Sequence, residues 1–114
     1  MRIPISRTLL AAACLAATAS YATEMSPCMN DPHAEGMRMR MERMHAQMDR
    51  AQGLADPAAQ RRLLDLHAKH MREGMRELRR RDSELEPGCR MELMHAMMEQ
   101  VITHQCVAQE LPAR

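Results

Sequence analysis

Phenylalanine and tryptophan are absent from this chain, and Tyr21 is its sole aromatic side chain. A core anchored on aromatic rings is therefore excluded. A CxxC pair is also missing, which excludes thioredoxin-type redox chemistry. Neither sign of charge is in excess, with 16 Lys and Arg against 15 Asp and Glu. That balance leaves no nucleic-acid footprint and no polybasic membrane patch. No Ser or Cys nucleophile sits beside a plausible base and no acidic pair is prominent, so an enzyme is not expected.

Only one long apolar run occurs, and it is at the start. Arg2 and Arg7 form a basic beginning, and Thr8 to Thr18 is small and apolar. Ser20-Tyr21-Ala22 then offers the small-x-small pattern behind which a signal peptidase cuts. The run is too short and wrongly flanked for a membrane span. Residues 1–22 are therefore expected to be a secretory signal peptide and the mature protein to be periplasmic, with no stable membrane insertion. Lipid anchoring at Cys14 is disfavoured, because Ala11 stands where an aliphatic residue is needed and the sequence beyond Cys14 stays apolar. The rest divides into a loose arm over 23–31, one helical domain over 32–110 and a fraying tail over 111–114.

What the chain does have is sulfur and imidazole, in 14 methionines and 6 histidines. Methionine is flexible and specifies packing poorly. A domain this small with such a core calls for a staple or a ligand.

Asp31-Pro32, Asp56-Pro57 and Glu86-Pro87 each put an acid just before a proline. Proline is pre-set for the first helical position, and an acid there complements the positive helix end. Gly53 closes the first helix and Arg79-Arg80-Arg81 the second, giving helices of about 20, 25 and 20 residues. The apolar stripes expected at helical spacing are Met37, Met41, Met44 and Met48; then Leu64, Ala68, Met71, Met75 and Leu78; then Met91, Met94, Met98 and Val101. Short connections make neighbours antiparallel. The fold class expected is all-α, a small three-helix up-down-up bundle or a helical hairpin that forms a homodimer to cover its open face.

A nine-residue block occurs twice. Arg40-Met41-Glu42-Arg43-Met44-His45-Ala46-Gln47-Met48 matches Arg90-Met91-Glu92-Leu93-Met94-His95-Ala96-Met97-Met98 except at its fourth and eighth positions. The second helix carries a reduced copy, Leu66-His67-Ala68-Lys69-His70. Residues three apart on a helix have Cβ atoms about 5–6 Å apart. His45 with Met48, His95 with Met98, and His67 with His70 are thus candidate ligand pairs, extended by Met41, Met44, Met91 and Met94. Thioether and imidazole form a soft-to-borderline set that favours copper(I), with silver(I) as competitor. Zinc would want more imidazole, thiolate or carboxylate. At about 1.5 Å of rise per residue the three boxes fall in a broad middle band, where two either converge on one ion or stand as separate sites. The bland alternative is that the methionine stripes are core and that the repeat records a duplicated helix.

Beyond the signal peptide lie Cys28, Cys89 and Cys106. In an up-down-up bundle Cys28 and Cys89 both lie at the base and are the preferred disulfide. Cys106 lies near the top as a ligand, a link between copies or a buried thiol.

At its His-x-x-Met boxes, Met44 to Met48 and Met94 to Met98, the chain resembles the small periplasmic Met/His-rich copper- and silver-binding proteins of the SilE and PcoE group. That resemblance implies a ligand role for His45, Met48, His95 and Met98 and gain of helix on binding. Three cysteines, many arginines and well-capped helices depart from that group and imply a more folded metal-free state. The function expected is copper(I) or silver(I) buffering, resistance or delivery, with the metal ion and a copper efflux or delivery protein as partners. The alternatives are a stress chaperone resembling the Spy and CpxP group, whose Leu-Thr-x-x-Gln motif is missing here, and a structural bundle without ligand.

Overall fold

A computed structural model describes residues 26–112; the expected signal peptide lies outside them. The described residues form three helices, α1 (Glu35–Gly53), α2 (Pro57–Arg81) and α3 (Pro87–Glu110), joined by short connections. Every pair of helices is in contact. The all-α three-helix bundle expected from the sequence is what forms. No described helix is long and apolar enough to cross a membrane.

Two of the three acid-proline signals act as read. Asp56 caps α2, its carboxylate accepting the Ala58 N–H at 3.1 Å, with Pro57 in the first turn. Glu86 precedes Pro87 at the start of α3, although its side chain makes no cap bond. Asp31-Pro32 does not open α1, which begins only at Glu35. Asp31 is instead a buried knot, its carboxylate accepting from the N–H of His33 at 2.9 Å and from the N–H of Glu86 at 3.1 Å. It ties the turn before α1 to the turn before α3.

The segment expected to be a loose arm is held over its described part. Cys28 is buried and joined to Cys89 by a disulfide, Ser26 donates its hydroxyl to Glu92 at 2.6 Å, and the Cys28 N–H donates to Glu92 at 3.2 Å. The expected Cys28–Cys89 pair thus staples the base of the bundle. No described cysteine is free, and that includes Cys106.

The core is built in two apolar clusters. The lower one gathers Cys28, Met37, Met44, Leu78, Leu85, Cys89, Leu93 and Met97, while the upper one gathers Met48, Ala51, Leu64 and Val107. Full burial of a methionine stabilises by roughly 1.5–3 kcal/mol, so the four buried thioether chains carry much of the packing energy. Between the clusters, at the level of His67 and Gln100, the interior turns polar.

Two expected stripes are corrected. On α2 the buried positions are Leu64, His67, Gly74 and Leu78, whereas Met75 is exposed and Met71 only partly buried. Gly74 can lie inside because it has no side chain; a Cβ there would stand 3.2 Å from the Arg40 Cδ and 3.5 Å from Met97. On α3 the expected stripe of Met91, Met94, Met98 and Val101 is the exposed face, and Cys89, Leu93, Met97, Gln100 and Val107 point inward. The disulfide explains the rotation: Cys89 must face Cys28, and steps of three and four from Cys89 reach Leu93, Met97 and Gln100.

Candidate functional site

The repeated block is used in two rotational settings. In α1 its fifth and ninth residues, Met44 and Met48, are buried; in α3 its fourth and eighth, Leu93 and Met97, take that place. These are the positions at which the copies differ, Arg43 and Gln47 in one and Leu93 and Met97 in the other. One residue of helix is a rotation of about 100°. Those two exchanges turn an otherwise identical block by one position.

The two boxes therefore present different chemistry. In α1, Met48 and Met44 sit in the core while His45 faces out, and Met41 packs half-buried beside the lower cluster. The expected His45–Met48 pair is split between interior and surface. In α3 the expected ligands of the box, Met91, Met94, His95 and Met98, all face solvent. Met91 is 57% exposed, Met94 45% and Met98 60%, and His95 is exposed among them. Spacings of three and four make these four side chains one contiguous patch over two turns.

Of the reduced copy on α2 only His67 goes inward, while Leu66 and Lys69 are exposed. His67 is completely buried, an unusual place for an imidazole, and its ring is fully engaged. Its Nε2 lies 2.7 Å from Gln100 Oε1, and its Nδ1 lies 2.9 Å from His104 Nδ1. A carbonyl oxygen only accepts, so Nε2 carries the His67 hydrogen and the bare Nδ1 accepts from His104 Nδ1–H. The Gln100 amide nitrogen points on to His45 Nδ1 at 3.5 Å. A chain His104–His67–Gln100–His45 thus crosses all three helices. Burial holds both His67 and His104 below the ordinary imidazole pKa, helped at His67 by the neighbouring His104 and His70 and opposed at His104 by Asp65. His70, the expected partner of His67, turns away toward α1, where the Gln47 amide nitrogen lies 2.8 Å from its Nδ1. No buried side-chain nitrogen or oxygen among the described residues lacks a partner.

The three boxes do not converge on one point. His45 and His67 are linked through Gln100, while His95 stays on the outer face. Glu99, one turn beyond His95, lies within electrostatic range of both His45 and His95. Burial nevertheless sets its carboxyl above the usual range. Among the described residues no group of three or more His, Cys, Asp or Glu side chains is placed to hold a metal ion. Thioether-containing sets, such as the α3 patch, are a separate class from these.

A second surface feature escaped the sequence reading. A groove of about 620 Å³ between α2 and α3 has Met71, Met75, Met97 and Val101 along it and Arg72, Arg76 and Arg79 at its rim. Among the described residues these three arginines make no ion pair, unlike Arg40, Arg80, Arg81 and Arg90. Their spacing of four and three was the available signal. Comparisons with protein-family models, curated proteins and solved structures give no match for this chain.

Proposed function

We propose that this protein binds a soft monovalent cation, copper(I) or silver(I), at the α3 patch of Met91, Met94, His95 and Met98, as a periplasmic buffer or carrier. The single observation that supports the reading is the exposure of that entire patch. Three thioethers and an imidazole are contiguous, and none is spent on the core. Soft sulfur donors with one borderline nitrogen select a d¹⁰ monovalent ion over hard cations. An exposed site also suits an ion that must be handed on to an efflux or delivery protein, because a ligand of the acceptor can approach from solvent. The scaffold beneath is already folded and stapled at Cys28–Cys89, so binding here orders side chains rather than the backbone.

Silver titration of the full chain, followed by calorimetry, tests the reading without a reductant. Replacing Met91, Met94 and Met98 together by Leu keeps the apolar shape and removes the sulfur. The affinity of the surface site should fall by at least tenfold.

The Met/Arg groove favours a second reading, a chaperone for unfolded segments. Flexible methionines adapt to varied apolar side chains, and three unpaired guanidinium groups would attract acidic clients. Suppression of client aggregation that survives the triple Leu substitution but is lost on Arg72→Glu and Arg76→Glu would support this reading over the first.

A further inference from the structure

We infer that His67 and His104 form a second, buried site for a soft monovalent cation, held in a line between two imidazole nitrogens. This inference rests on the soft-cation reading above but on different residues and a different geometry.

The two Nδ1 atoms are 2.9 Å apart and the ring centroids 5.2 Å apart, with the ring planes only 16° from parallel. The second distance exceeds the first by the two ring radii. Centroid, nitrogen, nitrogen and centroid therefore lie on one straight line, and the rings meet edge to edge rather than face to face. A ring nitrogen's lone pair points directly away from its own ring centre, so each Nδ1 is aimed at the other. In the metal-free protein one proton occupies the line between them.

Copper(I) and silver(I), with filled d shells, accept two nitrogen donors in a straight line. An imidazole–metal bond is about 2 Å long, so the nitrogens need to part from 2.9 Å to about 4 Å along the line they already define. His67 is the fixed member. It is fully buried, and Nε2 donates to Gln100 Oε1 at 2.7 Å, which sets the tautomer with a bare Nδ1. Ligating histidines commonly have such a hydrogen-bond partner behind them. His104 is the movable member. It is only partly buried and lines a cleft of about 310 Å³ together with Arg61 and Asp65, which gives the ion a way in and the ring room to retreat. The Asp65 carboxylate favours positive charge at His104 and compensates the incoming ion. When the ion binds, the proton leaves Nδ1 of His104 and Nε2 takes one up from solvent. Both imidazoles end neutral, each with one hydrogen.

The test is made on the full chain carrying Met91→Leu, Met94→Leu and Met98→Leu, so that the surface patch is silent. One equivalent of silver(I) is then expected to remain bound, and imidazole ¹⁵N spectra should show shifts at Nδ1 of both His67 and His104. Adding His104→Ala should weaken that remaining binding at least tenfold, with helicity by circular dichroism unchanged. If the triple-Leu protein binds no silver while the parent does, the surface reading stands and the buried site does not exist. If binding persists with no Nδ1 shift at His67, the ion sits elsewhere and the inference is equally overturned. A parent protein that binds no silver would remove both.

Discussion

Nδ1 of His67 and Nδ1 of His104 confront each other at 2.9 Å in the polar layer that divides the core into two apolar clusters. This pair cannot carry two charges, because two protonated Nδ1 atoms cannot share one line, and burial disfavours even one.

Acid should therefore unfold the metal-free protein by way of this layer. Both pKa values lie below the ordinary 6.5, mainly because burial penalises the charged ring. Below that value the unfolded chain binds more protons than the folded one, so stability falls as the pH drops. It is fully present above about pH 6.5. Thermal melts between pH 7.5 and 5 should show a steady decline, and a flat profile would place these imidazoles in solvent.

Neighbouring methionines of the repeat should differ sharply. Met97→Ala empties a core position and should cost about 2–5 kcal/mol, whereas Met98→Ala, on the exposed face, should stay within about 0.5 kcal/mol. In the α1 copy the order reverses, since Met48→Ala is the costly change and Gln47→Ala the mild one. Urea midpoints of the four variants measure this. Equal costs at Met97 and Met98 would contradict the one-residue rotation between the copies.

The staple should matter to a core so rich in flexible side chains. Cys28 and Cys89 close a long loop at a sequence separation of 61. Replacing both with Ser should cost about 2–5 kcal/mol. Denaturant melts of the Ser variant against the parent, both metal-free, give the value.

Gln100 links His67 to His45 and is itself buried. Gln100→Leu removes the acceptor for the His67 Nε2–H and leaves a buried donor unpaired, at a cost of about 1–3 kcal/mol. His67 should also lose its fixed tautomer, visible in its ¹⁵N imidazole shifts.

Much of this was legible in the sequence. The acid-proline signals before Pro57 and Pro87, the closing Gly53 and the arginine run placed the helices, and the up-down-up order placed Cys28 against Cys89. What the sequence concealed was rotation. α3 has methionine on both faces, so steps of three and four through Met91, Met94 and Met98 looked as good as those through Leu93 and Met97. Two observations in hand could have decided it. The Cys28–Cys89 pairing fixes which face of α3 looks inward, and the two copies of the block differ only where the inward residues of α3 lie. The burial of His67 was illegible for a different reason. Nothing local to α2 shows that Gln100 and His104, more than thirty residues on, supply its partners. Asp31-Pro32 misled because Asp31 serves a distant N–H, that of Glu86, and not the helix directly ahead of it.

Silver(I) titration of the folded, disulfide-intact chain tests the central claim most directly. Tight binding, with the Cε methyl resonances of Met91, Met94 and Met98 shifting and those of the buried Met37, Met44 and Met97 hardly moving, is the expected result. Absence of binding at micromolar protein, or shifts confined to the core methionines, would contradict it.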